Sequence, residues 1–375
     1  MHPKHLLDRY QIEPKKSLGQ NFLHDEGLLG RIVAAAEVSP DDDVLEVGPG
    51  LGALTRVLAQ AARRVVAVEL DGRLLPVLES ELGGLGNVEL VHGDVLELDP
   101  ADWFAAPYVV VANVPYYITG AILRHLLGGQ PRPRRLVLTV QREVADRLTA
   151  RPPEMSLLAV SVQYYGRARL VSTVKAGAFW PRPEVDSAVV RIDVGERHLL
   201  GAGERGSGGA GGNVAQGSLL LSPSLREGLG EGQGPTDPLP IPLPKGEGGA
   251  DSLPVPLPRG EGGVDPLPIP LPKGEGAISP APLPPRPPAS PSIDTDEAKF
   301  FRVVRAGFSE KRKQLKNNLR GLGLDDAAIA AALARAGIDG RRRAETLTIE
   351  EWEGLSGAVN ATRPGPEATT TPARG

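Results

Sequence analysis

Asp43-Val44-Leu45-Glu46-Val47-Gly48-Pro49-Gly50-Leu51-Gly52 joins a short apolar run to a glycine-rich turn, and the turn opens a segment of helical periodicity. A short apolar run bounded by glycines reads as a buried strand. The glycines let the backbone turn sharply and approach a ligand closely. Outward from this stretch, strand and helix patterns alternate. Asp43–Val47, Arg64–Leu70, Val88–His92, Tyr108–Asn113 and Leu136–Val140 read as strands. Leu51–Ala62, Asp71–Leu82, Ile118–Leu127, Gln141–Thr149 and Met155–Tyr165 read as helices between or after them. Leu170–Val174 and Ser187–Val194 complete the series, and before it Asp25 can cap a helix with Leu28, Leu29, Ile32, Val33 and Ala36 on one face. This rhythm predicts an α/β fold of Rossmann-like type. Its mostly parallel sheet would be covered on both faces, with ligands bound at the carboxyl ends of the strands.

The pattern covers residues 25–195 and stops there. Residues 1–24 are polar and basic, with Lys4, Lys15 and Lys16. Residues 196–293 are rich in glycine and proline and contain a 14-residue repeat. It begins at Asp237, with Pro-Leu-Pro-Ile-Pro-Leu-Pro-Lys-Gly-Glu-Gly following, and recurs from Asp251 and Asp265. Alternating prolines cannot donate ladder hydrogen bonds, so this stretch is expected to be a disordered insertion with polyproline II character. A proline-motif ligand for another protein is the functional alternative. Helical patterning resumes over 294–358. There Ser309 is expected to cap a basic helix, Glu310–Leu319, followed by helices over Asp325–Ala336 and from Thr348, where Glu351 completes a capping box. Residues 359–375 read as a disordered tail.

Composition narrows the function. The absence of cysteine excludes disulfides, thiolate zinc sites and a cysteine nucleophile, and no metal site is expected. The apolar core of a signal peptide and a span of about 20 apolar residues are both missing, which suits a cytoplasmic protein with no membrane partner. The net charge of −4 hides a division. Gly195 to Glu297 carries 7 basic and 13 acidic side chains, whereas Lys299 to Arg343 carries 12 basic and 4 acidic. That basic block suits a polyanion, or equally a solvated helical face.

Two constellations carry chemistry. In the first, Gly48 and Gly50 shape the turn, and Glu69 ends the next strand, where a carboxylate can accept ribose hydroxyls. The spacing also suits NAD enzymes, but Pro49 removes an amide that a pyrophosphate could use, and Glu46 places a carboxylate beside the turn. Such a site repels phosphate and welcomes an ammonium or sulfonium; S-adenosyl-L-methionine carries both cations and no phosphate. Asp94 could accept from its adenine amino group, or could simply close a turn. The second constellation is Asn113-Val114-Pro115-Tyr116 at the end of the fourth strand. An exocyclic aromatic amine is a poor nucleophile, because its lone pair is delocalised into the ring. The Asn113 side-chain oxygen and the Val114 carbonyl can each accept one N–H, Pro115 fixes the turn, and Tyr116 can stack on the base.

Four segments together give the chain a specific resemblance: Lys15-Lys16-Ser17-Leu18-Gly19-Gln20-Asn21-Phe22-Leu23, Glu46 to Gly52, Asn113 to Thr119, and Ala178-Phe179-Trp180-Pro181-Arg182-Pro183-Glu184-Val185-Asp186-Ser187-Ala188-Val189-Val190. The chain resembles the ribosomal RNA adenine dimethylase family in its bacterial small-subunit, kasugamycin-sensitivity branch. The likeness covers roughly 8–195 and 296–355, and the basic Phe301–Phe308 and Arg312–Leu319 segments extend it. It implies S-adenosylmethionine-dependent N6,N6-dimethylation of two adjacent adenosines near the 3′ end of 16S ribosomal RNA, in the 30S subunit or its precursor, by a monomer. By the same pattern Asn21, Leu23, Gly48, Glu69, Asp94 and Asn113 would line the cofactor site, and Phe179 would face Tyr116 across a flipped adenine. Two features depart from it: the repeat-bearing insertion, and Lys175-Ala176 where the family commonly has proline. The alternatives are the large-subunit adenine methyltransferases of the macrolide-resistance type and a non-catalytic assembly or transcription factor on the same fold.

Overall fold

The structure is a computed structural model that describes residues 2–115, 118–195 and 295–362. Strands β2 (Asp43–Val47), β3 (Arg64–Glu69), β4 (Val88–His92), β5 (Val109–Asn113), β6 (Arg135–Gln141), β7 (Gly166–Val174) and β9 (Ser187–Val194) form a seven-stranded sheet in the order β4-β3-β2-β5-β6-β9-β7. The first five are parallel, and β9 runs antiparallel to both its neighbours. The strand order reverses at β2, which pairs with β3 on one side and β5 on the other, and a crevice opens there beyond the carboxyl ends. Two short strands, β1 (Phe22–Leu23) and β8 (Phe179–Trp180), form a separate antiparallel pair.

Alternation along the strands divides the core. Leu45, Val47, Val66, Val68, Val110 and Ala112 face α5 (Thr119–Gly128), α6 (Arg142–Thr149) and α7 (Leu157–Gln163). Their neighbours Val44, Val65, Val109 and Val111 face α2 (Glu26–Ala36) and α3 (Ala53–Ala61). Successive side chains of a strand point to opposite faces, so the same runs fill both layers. Asp25 caps α2 by accepting from the Leu28 amide, and the five apolar residues expected on its inner face are buried. The helix expected over Asp71–Leu82 is α4 (Leu75–Leu82), entered through a 3-10 turn capped by Asp71.

Two expectations are corrected. The first 24 residues are more than a polar segment, because they hold helix α1 (Pro3–Arg9) and strand β1. Leu6 and Leu7 of α1 are buried against Leu74, Val77 and Leu78, an apolar contact invisible in a segment judged by its lysines. The basic helix Glu310–Leu319 does not form. Helix α8 (Thr295–Gly307) is followed by turns over 308–313, and α9 spans only Leu315–Asn318. The Leu315 and Lys316 amides bond to the carbonyls of Arg342 and Gly340, and the buried Asn318 side chain donates to the carbonyls of Gly307 and Glu310. The backbone is thereby committed to tertiary partners that a continuous helix would deny it. Lys311, Arg312 and Lys313 stand exposed on the turns.

Helices α10 (Asp326–Arg335) and α11 (Ile349–Ala361) complete the C-terminal group, and the Thr348–Glu351 capping box is present. This group shares a core with the sheet: Phe300 of α8 stacks on Tyr164 at 4.2 Å, and Val303, Val304 and Trp352 belong to the same apolar cluster as β5 and β6. Among the described residues no helix is long and apolar enough to cross a membrane. The insertion expected over 196–293 lies outside the described residues, as does the tail beyond Thr362; the tail's expected start at 359 is corrected, because α11 runs on through Ala361 with Val359 buried.

Candidate active site

The β2–α3 turn sits over the reversal of strand order. Gly48, Gly50 and Gly52 all take left-handed backbone angles, with φ of 71°, 61° and 79°. At Gly50 the space is also closed, since a β-carbon would lie 3.0 Å from Cδ1 of Phe22. The N-terminal segment is thus packed onto the turn through a missing side chain. The Gly48 amide donates to Val68 across the parallel ladder, and the Gly50 amide donates to the Glu69 carboxylate at 3.1 Å.

Three buried carboxylates near the ends of β2 and β3 differ in state. Glu69, at the end of β3, is buried and accepts from the amides of Gly50 and Asp71; burial raises its affinity for a proton. Asp71 is 3 % exposed, and the Arg73 guanidinium holds its carboxyl well below the usual carboxylate range. Glu46, 1 % exposed, is pushed up to about 8 by burial, and its Oε2 has no hydrogen-bond partner among the described residues. Asp94, after β4, accepts from the Leu96 amide at 2.9 Å with Oδ1, so it does close a turn; it also lines the crevice.

At the end of β5 the Asn113 side-chain nitrogen donates to the Asn21 carbonyl at 2.9 Å, which leaves Oδ1 as the end of the amide that can accept. The Val114 amide is held by the Thr139 carbonyl of β6 at 3.2 Å, and the Pro115 carbonyl accepts from Ile118 and Thr119 at the start of α5. Leu23 pairs with Phe179 through the β1–β8 ladder, and the His24 amide bonds to Ala178. In the loop before β8, the Ala176 amide and Lys175 Nζ donate to Asp186, which lies just before β9.

All of this surrounds a cleft of about 400 Å³. Asn21, Leu23, Gly48, Gly50, Glu69, Asp94, Asn113, Val114 and Pro115 line it together. Phe179 does not line it; its ring is 3 % exposed and packs with Leu23 and Val189. Tyr116 lies outside the described residues. Sequence reasoning missed Gln20 and Asp71, which bond to each other at 2.9 Å. The adjacency of Gln20 to Asn21 was the only available signal.

The cleft suits S-adenosylmethionine. An unpartnered buried carboxylate oxygen at Glu46 matches a cation, and Gly48, where a β-carbon would meet nothing nearer than the Asn113 carbonyl at 3.9 Å, leaves the backbone open to close approach. Comparison with known proteins agrees. The model of the ribosomal RNA adenine dimethylase family matches residues 12–199. The chain belongs to that family. It is similar to ribosomal RNA small subunit methyltransferase A of Dehalococcoides mccartyi, 35% identical with 94% of this chain and 90% of the relative covered. The protein of the same name from Geobacillus kaustophilus is 34% identical, with 95% and 94% covered. Among solved structures, the 23S rRNA methyltransferase ErmE superposes with a TM-score of 0.55 at 24% identity, covering 91% of this chain and all of that one, a likeness of fold. As a ribosomal RNA adenine dimethylase, the chain is an S-adenosylmethionine-dependent methyltransferase on a Rossmann-like sheet with a helical C-terminal region.

Proposed function

We propose that this chain dimethylates the N6 amino groups of two adjacent adenosines near the 3′ end of 16S ribosomal RNA, within the 30S subunit or its precursor, acting as a cytoplasmic monomer. The observation that carries the mechanism is the orientation of the Asn113 amide. With its nitrogen held by Asn21, Oδ1 accepts one N–H of the target amine, and the Val114 carbonyl accepts the other. Two acceptors on the amine draw its hydrogens out of the ring plane and return the lone pair to nitrogen. When bound, S-adenosylmethionine supplies an electrophilic methyl group. Glu69 accepts the ribose hydroxyls and Asp94 the adenine amino group, while Asn21, Leu23, Gly48 and Gly50 shape the remaining wall. Tyr116 stacks on the target base, and a base contact at Phe179 would require that ring to leave its packing against Leu23 and Val189. A base must leave its stack to reach this cleft. The exposed Lys311–Lys313 turn contacts phosphate.

The small subunit is favoured by the names of the curated relatives. Tritiated S-adenosylmethionine and purified protein are expected to label undermethylated 30S particles and leave 50S particles blank. Label in 50S alone would transfer the assignment to the large subunit, and label in neither would favour a non-catalytic binding factor.

A further inference from the structure

The segment Lys15–His24 crosses the carboxyl ends of three strands. In chain order Gln20 meets Asp71 after β3, the Asn21 carbonyl meets Asn113 at the end of β5, and Phe22 covers Gly50 after β2. Beyond that it is pinned to β8 by Leu23 and His24. It is a strap across the cleft, and Asp71 is the fastening at its outer end. The Gln20 side chain bridges the two parts: Oε1 accepts from the Lys15 amide at 2.7 Å, and Nε2 donates to Asp71 Oδ2 at 2.9 Å. Lys15 Nζ lies 3.5 Å from Asp71 Oδ1, and Arg73, which grips the same carboxylate through Nε and Nη2, also donates to the Glu13 carbonyl. The Asp71 amide meanwhile donates to Glu69 Oε1 at 2.8 Å, and Glu69 Oε2 holds Gly50.

A carboxylate this buried, with three partner side chains, Lys15, Gln20 and Arg73, from two parts of the chain, exceeds what a helix cap requires. Capping takes one oxygen and the Arg73 amide. We infer that Asp71 is a positioning residue for cofactor binding: it latches the Lys15–His24 strap over the cleft and, through its own amide, orients Glu69 toward the ribose. The inference rests on the reading of the cleft as the S-adenosylmethionine site. It predicts that loss of the latch weakens cofactor binding while leaving the Asn113–Val114 acceptors in place.

The test uses the full chain and S-adenosylhomocysteine, whose binding needs neither RNA nor turnover. Calorimetry on Asp71→Asn is expected to show its dissociation constant raised at least tenfold. KM for S-adenosylmethionine should rise in step, with kcat at saturation within about threefold, because binding and not chemistry is impaired. Trypsin supplies an independent readout, since Lys15 and Lys16 are exposed on the strap. S-adenosylhomocysteine should slow cleavage after them in the wild type, and Asp71→Asn should be cut faster and need more ligand for the same protection. Should Asp71→Asn fail to fold, Gln20→Ala removes the strap's half of the latch without touching the buried carboxylate, and the same shifts are expected. Unchanged affinity and cleavage in the variant that folds would overturn the inference, as would a fall in kcat at constant KM. A wild type that does not bind S-adenosylhomocysteine would instead remove the functional reading beneath it.

Discussion

The side-chain nitrogen of Asn113 lies 2.9 Å from the backbone carbonyl of Asn21, a residue 92 positions earlier in the chain. The N-terminal strap therefore sets which end of the Asn113 amide remains to accept from a substrate. Asn113→Ala removes that acceptor and only part of the cofactor wall. Methyl transfer to 30S particles is expected to fall at least about 100-fold, the scale for one oriented hydrogen-bonding group. S-adenosylhomocysteine binding should stay within about tenfold, a loss of no more than 1.4 kcal/mol. Transfer near the wild-type rate would disprove the assigned role.

Gly50→Ala tests the contact between strap and turn. Left-handed backbone costs a residue with a β-carbon roughly 1–2 kcal/mol, and the new methyl would meet Phe22 at 3.0 Å. A melting temperature lowered by at least about 3 °C is expected, with weakened S-adenosylhomocysteine binding. Phe22→Leu in the same chain should recover part of both losses, read by calorimetry and thermal denaturation.

Glu46 is expected to make cofactor uptake depend on pH. In the free protein burial pushes its carboxyl up to about 8. A bound cation favours the carboxylate, so binding below pH 8 must release a proton, and affinity should fall about tenfold per pH unit as pH drops. Titrations in buffers of different ionisation enthalpy would count that proton. The stability effect has the opposite sense. A carboxyl whose folded value is raised loses its favourable protonated state as pH climbs, here from 4.5 through 8. Glu46→Gln should therefore bind S-adenosylhomocysteine more weakly, yet its free form should gain stability over wild type from pH 4.5 to 8, with the gain constant above. Equal pH profiles for the two proteins would contradict this.

Removing Gly201–Ser290 is expected to leave folding and methyl transfer near wild type. Both flanks of the insertion meet Tyr165: the Gly195 amide donates to its carbonyl at 3.1 Å, and its hydroxyl donates to Glu297, which Arg132 also holds at 2.8 Å. Closing a tenfold shorter connection between pinned ends gains about 2 kcal/mol at most. Chemical denaturation and the 30S assay measure the two outcomes, and lost activity in a well-folded deletion would give the insertion a role.

The central sheet was legible because its strands are buried on both faces, which makes them read as unbroken apolar runs such as Val109–Ala112. Glu69, Asp94 and Asn113 were legible because they sit where such runs end. Helix α1 was not, since Leu6 and Leu7 gain meaning only from Leu74 and Leu78, far along the chain. The missing basic helix has a similar cause: local charge and propensity favoured it, and the partners that override them, Gly340 and Arg342, lie some 25 residues away. Asp71 looked like the first residue of a helix, and it is a cap; nothing local reveals that Gln20 and Lys15 reach it from the other end of the domain.

The stacking of Phe300 on Tyr164 has a mechanical consequence. Because the C-terminal helices complete the same core as the sheet, calorimetry should record a single melting event for both. Whatever those helices grip is then held at a constant offset from Asn113. Such a molecule would select its adenine as a gauge selects a part, by whether two distant features fit it at once.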